Sequence, residues 1–86
     1  MDEGRWYVYI IKASDESLYT GITVDLDRRL VEHQKGRVGA KYFRGRRALG
    51  IVYSENNHNR SSASKREAEI KKLTRKAKLE LIYSVT

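Results

Sequence analysis

Tyr19-Thr20-Gly21-Ile22-Thr23-Val24-Asp25-Leu26-Asp27-Arg28-Arg29-Leu30-Val31-Glu32-His33 is the stretch whose reading decides the fold. It starts as a strand ending in a glycine and continues as a capped helix. Thr23 or Asp25 supplies the N-cap, Asp25 and Asp27 sit near the positive helix end, and Gly36 stops the helix after Lys35. At about 100° per residue, Leu26, Arg29, Leu30 and His33 share one arc, with Arg28 and Glu32 opposite. Arg29 and His33 therefore lean toward the protein and Arg28 toward water. An arginine and a histidine one turn apart beside an apolar stripe can hold a phosphate and handle a proton.

Working outward, residues 6–11 alternate, with Tyr7, Tyr9 and Ile11 on one face and Trp6, Val8 and Ile10 on the other. Aromatic and β-branched residues at this spacing predict a strand. Ser14-Asp15-Glu16-Ser17 carries turn chemistry, so residues 18–22 return antiparallel as a hairpin. That pairing sets Tyr9 and Tyr19 close together. By themselves the two tyrosines read as half-buried strand packing; the arginine helix beside them turns the reading toward a site.

Beyond Gly36, residues 36–47 carry three glycines and no periodicity, which predicts a loop. Arg37, Lys41, Tyr42, Arg44, Arg46 and Arg47 there offer stacking faces and phosphate-binding charges. The aromatic side chains Tyr42 and Phe43 can equally anchor the loop on the core, and both roles are compatible. Residues 49–54 predict a short third strand and 56–62 a polar loop, with His58 a surface residue. A basic helix follows over about 63–73. Its inward arc holds Ala63, Glu67, Ile70 and Leu73, so Glu67 is an acid on the inner face. Ser64-Lys65-Arg66-Glu67 fits a capping box, which would occupy Glu67; an earlier start with Ser61 or Ser62 as cap would release it. Thr74 caps a short final helix carrying Leu79, Leu81 and Ile82.

Composition narrows the function classes. Eighty-six residues predict one domain with a modest core. Without cysteine there is neither a disulfide framework nor a thiolate zinc site. No apolar run has the length of a membrane span, so a cytoplasmic protein without membrane association is expected. The 18 Lys and Arg against 11 Asp and Glu leave a net charge of +7. From 35 to 47 stand six cations and no acid. A field of that sign favours a polyanion, with nucleic acid the usual one; the charge by itself equally fits a solubility role or, less well without an amphipathic apolar face, attraction to anionic membranes.

Hydrolysis of a phosphodiester needs an activated water, stabilised phosphoryl oxygens and help for the departing oxygen. A hard cation such as Mg²⁺ or Mn²⁺ takes oxygen ligands and keeps several waters, so Glu67 plus substrate phosphate can hold a single divalent metal. Arg29 can make paired hydrogen bonds to phosphate. Tyr9 and Tyr19 can orient the water or take its proton if their charged forms are favoured, and His33 is the conventional base nearby.

Tyr7-Val8-Tyr9, Tyr19-Thr20-Gly21 and Arg29, in this order, resemble the core of the GIY-YIG nuclease superfamily. The likeness is strongest to its small single-domain bacterial members, the UPF0213-like proteins, and extends over Gly-Ala-Lys-Tyr at 39–42 and Glu-Ala-Glu-Ile-Lys-Lys-Leu at 67–73. The resemblance implies an α+β fold with a three-stranded antiparallel sheet flanked by helices. It also implies Tyr9 and Tyr19 near the attacking water, Arg29 on the phosphate, Glu67 on one divalent metal and His33 as auxiliary. Tyr7 replaces the glycine of the first motif, Ile22 stands where some members carry lysine, and no asparagine follows Asn59. The expected activity is endonucleolytic, on DNA ahead of RNA. Branched or damaged substrates in repair or recombination come from the likeness of residues 19–30 to junction-processing nuclease subunits. The rival expectations are a binding module without cleavage and a subunit that needs a protein partner.

Overall fold

The structure, a computed structural model, describes residues 4–36 and 45–84. Three strands, β1 (Trp6–Ala13), β2 (Leu18–Thr23) and β3 (Ala48–His58), form an antiparallel sheet in the order β2-β1-β3. Helix α1 (Leu26–Lys35) follows β2, while α2 (Arg60–Lys71) and α3 (Arg75–Tyr83) follow β3.

β1 is central because both of its faces are apolar. Val8 and Ile10 are fully buried with Ala63, Ile70 and Ile82, so α2 and α3 cover this face. Tyr9 and Ile11 are buried on the opposite face, where Tyr19, Leu26 and Leu30 pack and α1 lies. Each such aliphatic side chain contributes about 1.5–3 kcal/mol by leaving water. The alternation predicted for this strand is the one observed.

The hairpin register sets Tyr9 opposite Gly21 and Ile11 opposite Tyr19. Of the two candidate caps of α1, Asp25 accepts from Arg28 N at 3.0 Å, and Thr23 Oγ1 accepts from Asp25 N at 3.1 Å. Gly36 ends α1 at φ 68°, a conformation that favours glycine. Gln34 Nε2 donates to Ala48 O at 3.2 Å, tying α1 to the start of β3.

Two expectations fail after β3 begins. Residues 56–58 are strand rather than loop: the polar sequence follows from β3 extending past the apolar core along β1 as far as Trp6, with Asn57 at φ 62° where the register shifts. α2 takes the earlier start, at Arg60 rather than near 63, but neither Ser61 nor Ser62 is its cap. Asn59 is its cap, with Ser62 N donating to Asn59 Oδ1 at 2.8 Å and Asn59 N to Ser62 Oγ at 3.1 Å. That closed capping box leaves Glu67 two turns inside the helix, so the box proposed for Ser64 and Glu67 does not form. Thr74 caps α3 as expected, accepting from Ala77 N at 3.1 Å.

Candidate active site

Tyr9 is the floor of the site. Its ring crosses the place where β2 has no side chain, Gly21, and only 1 % of the residue is exposed. Two side chains of α1 meet its hydroxyl. Arg29 Nε donates to Tyr9 Oη at 3.3 Å, and Oη lies 3.0 Å from His33 Nε2. Helical spacing of four residues is what lets Arg29 and His33 reach one atom from one face. Tyr19 completes the cluster, its ring 6.4 Å from Tyr9 and edge-on to His33 at 5.1 Å between centroids.

The hydrogen-bond directions follow from the chemistry. Arg29 can only donate, so Tyr9 Oη accepts from it. Burial pushes His33 below its usual value of 6.5, with the Arg29 charge acting the same way and Glu32 opposing. A neutral imidazole then accepts the Tyr9 proton at Nε2 and carries its own on Nδ1, a tautomer assigned from these partners. Burial raises the Tyr9 phenol above its usual 10.0, the Arg29 hydrogen bond opposes this, and the charges of Tyr19 and Glu67 add to the rise. The resting order is therefore Arg29 to Tyr9 to His33, with each proton in place.

Glu67 stands on α2, across the sheet from α1, yet its carboxylate is among the charges felt by the Tyr9 phenol. α2 packs over β2 and β1 and only lightly on β3. Its side chain is 24 % exposed and meets Lys71 Nζ at 3.4 Å. Among the described residues no three His, Cys, Asp or Glu side chains converge. A cation enclosed by protein ligands does not fit this site, whereas one held by a single carboxylate with waters and substrate phosphate does.

The basic residues divide. Arg37, Lys41, Tyr42 and Arg44 lie outside the described residues. Arg46 and Arg47 sit beside the β1–β2 turn: Arg46 Nε pairs with Asp15 Oδ2 at 2.9 Å, and Arg47 N donates to Ser14 Oγ at 2.9 Å. Glu32, placed on the far side of α1 by its angle, in fact reaches Arg29 Nη1 at 3.5 Å and Arg28 Nε at 3.6 Å. Its spacing of three from Arg29 was the available signal. His58 is not a bare surface residue either: Nε2 lies 3.0 Å from Glu55 Oε1 and Nδ1 2.9 Å from Ser62 Oγ. Arg66 grips the same Glu55 through Nε at 2.9 Å, and Tyr53 donates to it.

Residues 5–80 match the GIY-YIG catalytic domain. A UPF0213 protein of Syntrophus aciditrophicus is 50% identical over 76 residues, covering 88% of this chain and 87% of that one. One from Clostridium perfringens is 54% identical over 78 residues, covering 91% and 83%. Among solved structures, a protein of E. faecalis has a TM-score of 0.62 at 38% identity, covering 99% of this chain and 91% of that one. The UPF0213 protein of Bacillus halodurans gives 0.57 at 41% identity, covering 91% and 82%. No helix among the described residues is long and apolar enough to cross a membrane. With two tyrosines from paired strands, an arginine from the next helix and a glutamate from a later one, the chain belongs to the GIY-YIG nuclease family.

Proposed function

We propose that this protein is a metal-dependent endonuclease that hydrolyses nucleic-acid phosphodiesters. The observation that carries the reading is the Tyr9 hydroxyl held between Arg29 and the buried His33. Arg29 spends Nε on Tyr9 and only a 3.5 Å contact of Nη1 on Glu32, so its other N–H groups are disposed to bind a phosphoryl oxygen. A phenol with a raised pKa is a poor stored base, but it does not have to ionise. As water attacks phosphorus, Tyr9 Oη takes the water proton while its own proton passes to His33 Nε2, and no tyrosinate accumulates. The departing sugar oxygen takes its proton from solvent. Tyr19, half-buried against His33, orients the water. A divalent cation held by Glu67 would neutralise phosphoryl charge and acidify the attacking water.

DNA ahead of RNA, and branched or damaged duplexes ahead of regular ones, form the assay panel. With Mg²⁺ or Mn²⁺ the wild type cuts a labelled junction, and Arg29→Ala and Glu67→Ala lose cutting while still binding. Equal cutting by all three proteins overturns the reading as contamination. Binding without cutting across the panel leaves a binding module. Cutting recovered only with a copurified protein makes the chain a partner-dependent subunit.

A further inference from the structure

Between positions 71 and 78 stand five cations, Lys71, Lys72, Arg75, Lys76 and Lys78, and no acid. They surround the corner where α2 ends at Lys71 and α3 begins at Arg75. Acids upstream are already engaged: Glu55 and Glu69 hold Arg66, and Glu67 meets Lys71. Past that point the charge is uncompensated. Lys72 and Lys76 are exposed, Lys78 is half-buried, and none of the three makes an ion pair among the described residues. Arg75 spends Nη1 on the Glu16 carbonyl at 2.7 Å, which fixes α3 against the β1–β2 turn and leaves its charge unneutralised. Glu80 is the first acid reached along α3.

The corner adjoins the candidate site. Lys71 lies one helical turn, about 6 Å of rise, from Glu67 and contacts it. A polyanion whose phosphodiester lies at Arg29 and Glu67 would have its flanking phosphates drawn along Lys71 and Lys72 toward Lys76. We infer that the α2–α3 corner, through Lys72 and Lys76, is a docking surface for the phosphate backbone of nucleic acid flanking the cleavage point. It rests on the reading of nucleic acid as the ligand. Because these contacts are to phosphates, they add affinity without sequence preference and weaken with salt.

The test uses the full chain and a fluorescent 20-base-pair duplex in EDTA, with anisotropy read from low to moderate salt. Lys72→Gln/Lys76→Gln is compared with wild type and with Arg5→Gln/Arg60→Gln, which removes the same charge at the opposite end of α2. Circular dichroism and thermal unfolding check that each is folded. The corner variant is expected to bind at least tenfold more weakly at low salt, with the log–log salt slope shallower by about 0.9 per lost contact, and the control to change little. Equal affinity and slope for corner variant and wild type, or equal losses in both variants, overturn the inference. So does loss of binding to anionic lipid vesicles with duplex binding intact. Cleavage is scored separately. A wild type that binds through the corner but never cuts keeps this inference and ends the nuclease reading, whereas a cutting enzyme indifferent to the corner substitutions does the reverse.

Discussion

A methyl group on Gly21 would sit 2.5 Å from Tyr9 Oη and 2.7 Å from the ring carbon bearing it. The two residues face each other across the hairpin, and the missing side chain of one is the space that the phenol of the other occupies. Tyr9 cannot yield easily, because its hydroxyl is held by Arg29 and His33 and the residue is buried.

Gly21→Ala therefore displaces the phenol. We expect a stability loss of about 1–3 kcal/mol from overpacking. Cleavage should fall more, on the order of 10²-fold, because displacement by about 1 Å breaks the alignment of Tyr9 with its partners. Urea unfolding and single-turnover cleavage on the same preparations separate the two effects; full activity in a folded Gly21→Ala protein would remove Tyr9 from the chemistry.

Tyr9→Phe keeps the ring and deletes the relay. The buried His33 Nε2 then has lost its donor, costing about 1–3 kcal/mol. Cleavage should drop about 10²–10⁴-fold with nucleic-acid affinity nearly unchanged, since Arg29 remains. A competition binding curve beside the rate decides whether the hydroxyl acts in binding or in turnover.

His33 gives the protein a pH dependence of defined sign. Its pKa in the folded chain lies below the usual 6.5, by burial first and then by the Arg29 charge. Between the folded value and 6.5 the unfolded chain binds the extra proton, so stability is complete above 6.5 and declines as pH falls through that window. Midpoints of urea unfolding from pH 8 to 5 should show the decline in wild type and lose it in His33→Asn. Cleavage should decline at a lower pH than an ordinary histidine would dictate, since His33 remains neutral there.

Glu55 is a structural acid and a control for the others. Burial alone would raise its carboxyl, but hydrogen bonds from Tyr53, Arg66 and His58 outweigh this and hold it below its ordinary 4.5. Its contribution is present above 4.5 and is lost as pH falls below that value. Glu55→Ala leaves Arg66, His58 and Tyr53 without their shared acceptor and should cost about 2–3 kcal/mol, discounted for partial exposure. Binding per folded molecule should be unaffected; a selective loss of cleavage at full stability would instead tie this cluster to the reaction.

Much of the architecture was legible because it depends on neighbours in sequence. The alternation of residues 6–11, the turn at 14–17, the Asp25 and Gly36 ends of α1 and the Thr74 cap are set by local periodicity and capping chemistry, and each element formed where those rules put it. Residues 56–62 depart from those local rules. Their polarity is that of a loop, while their structure comes from β1 continuing to offer backbone partners and from Asn59 and Ser62 closing a cap.

The sequence by itself determined the α+β order of elements, the cationic excess and the identity of Tyr9, Tyr19, Arg29, His33 and Glu67 as one candidate set. Tertiary structure alone decided that Tyr9, Arg29 and His33 share a single hydroxyl and that Gly21 is empty because Tyr9 fills it. The reason is that a hydrogen bond between residues 20 or more positions apart depends on strand register and on how a helix is rotated against the sheet. Those quantities are fixed by packing of the whole core, which no local pattern records.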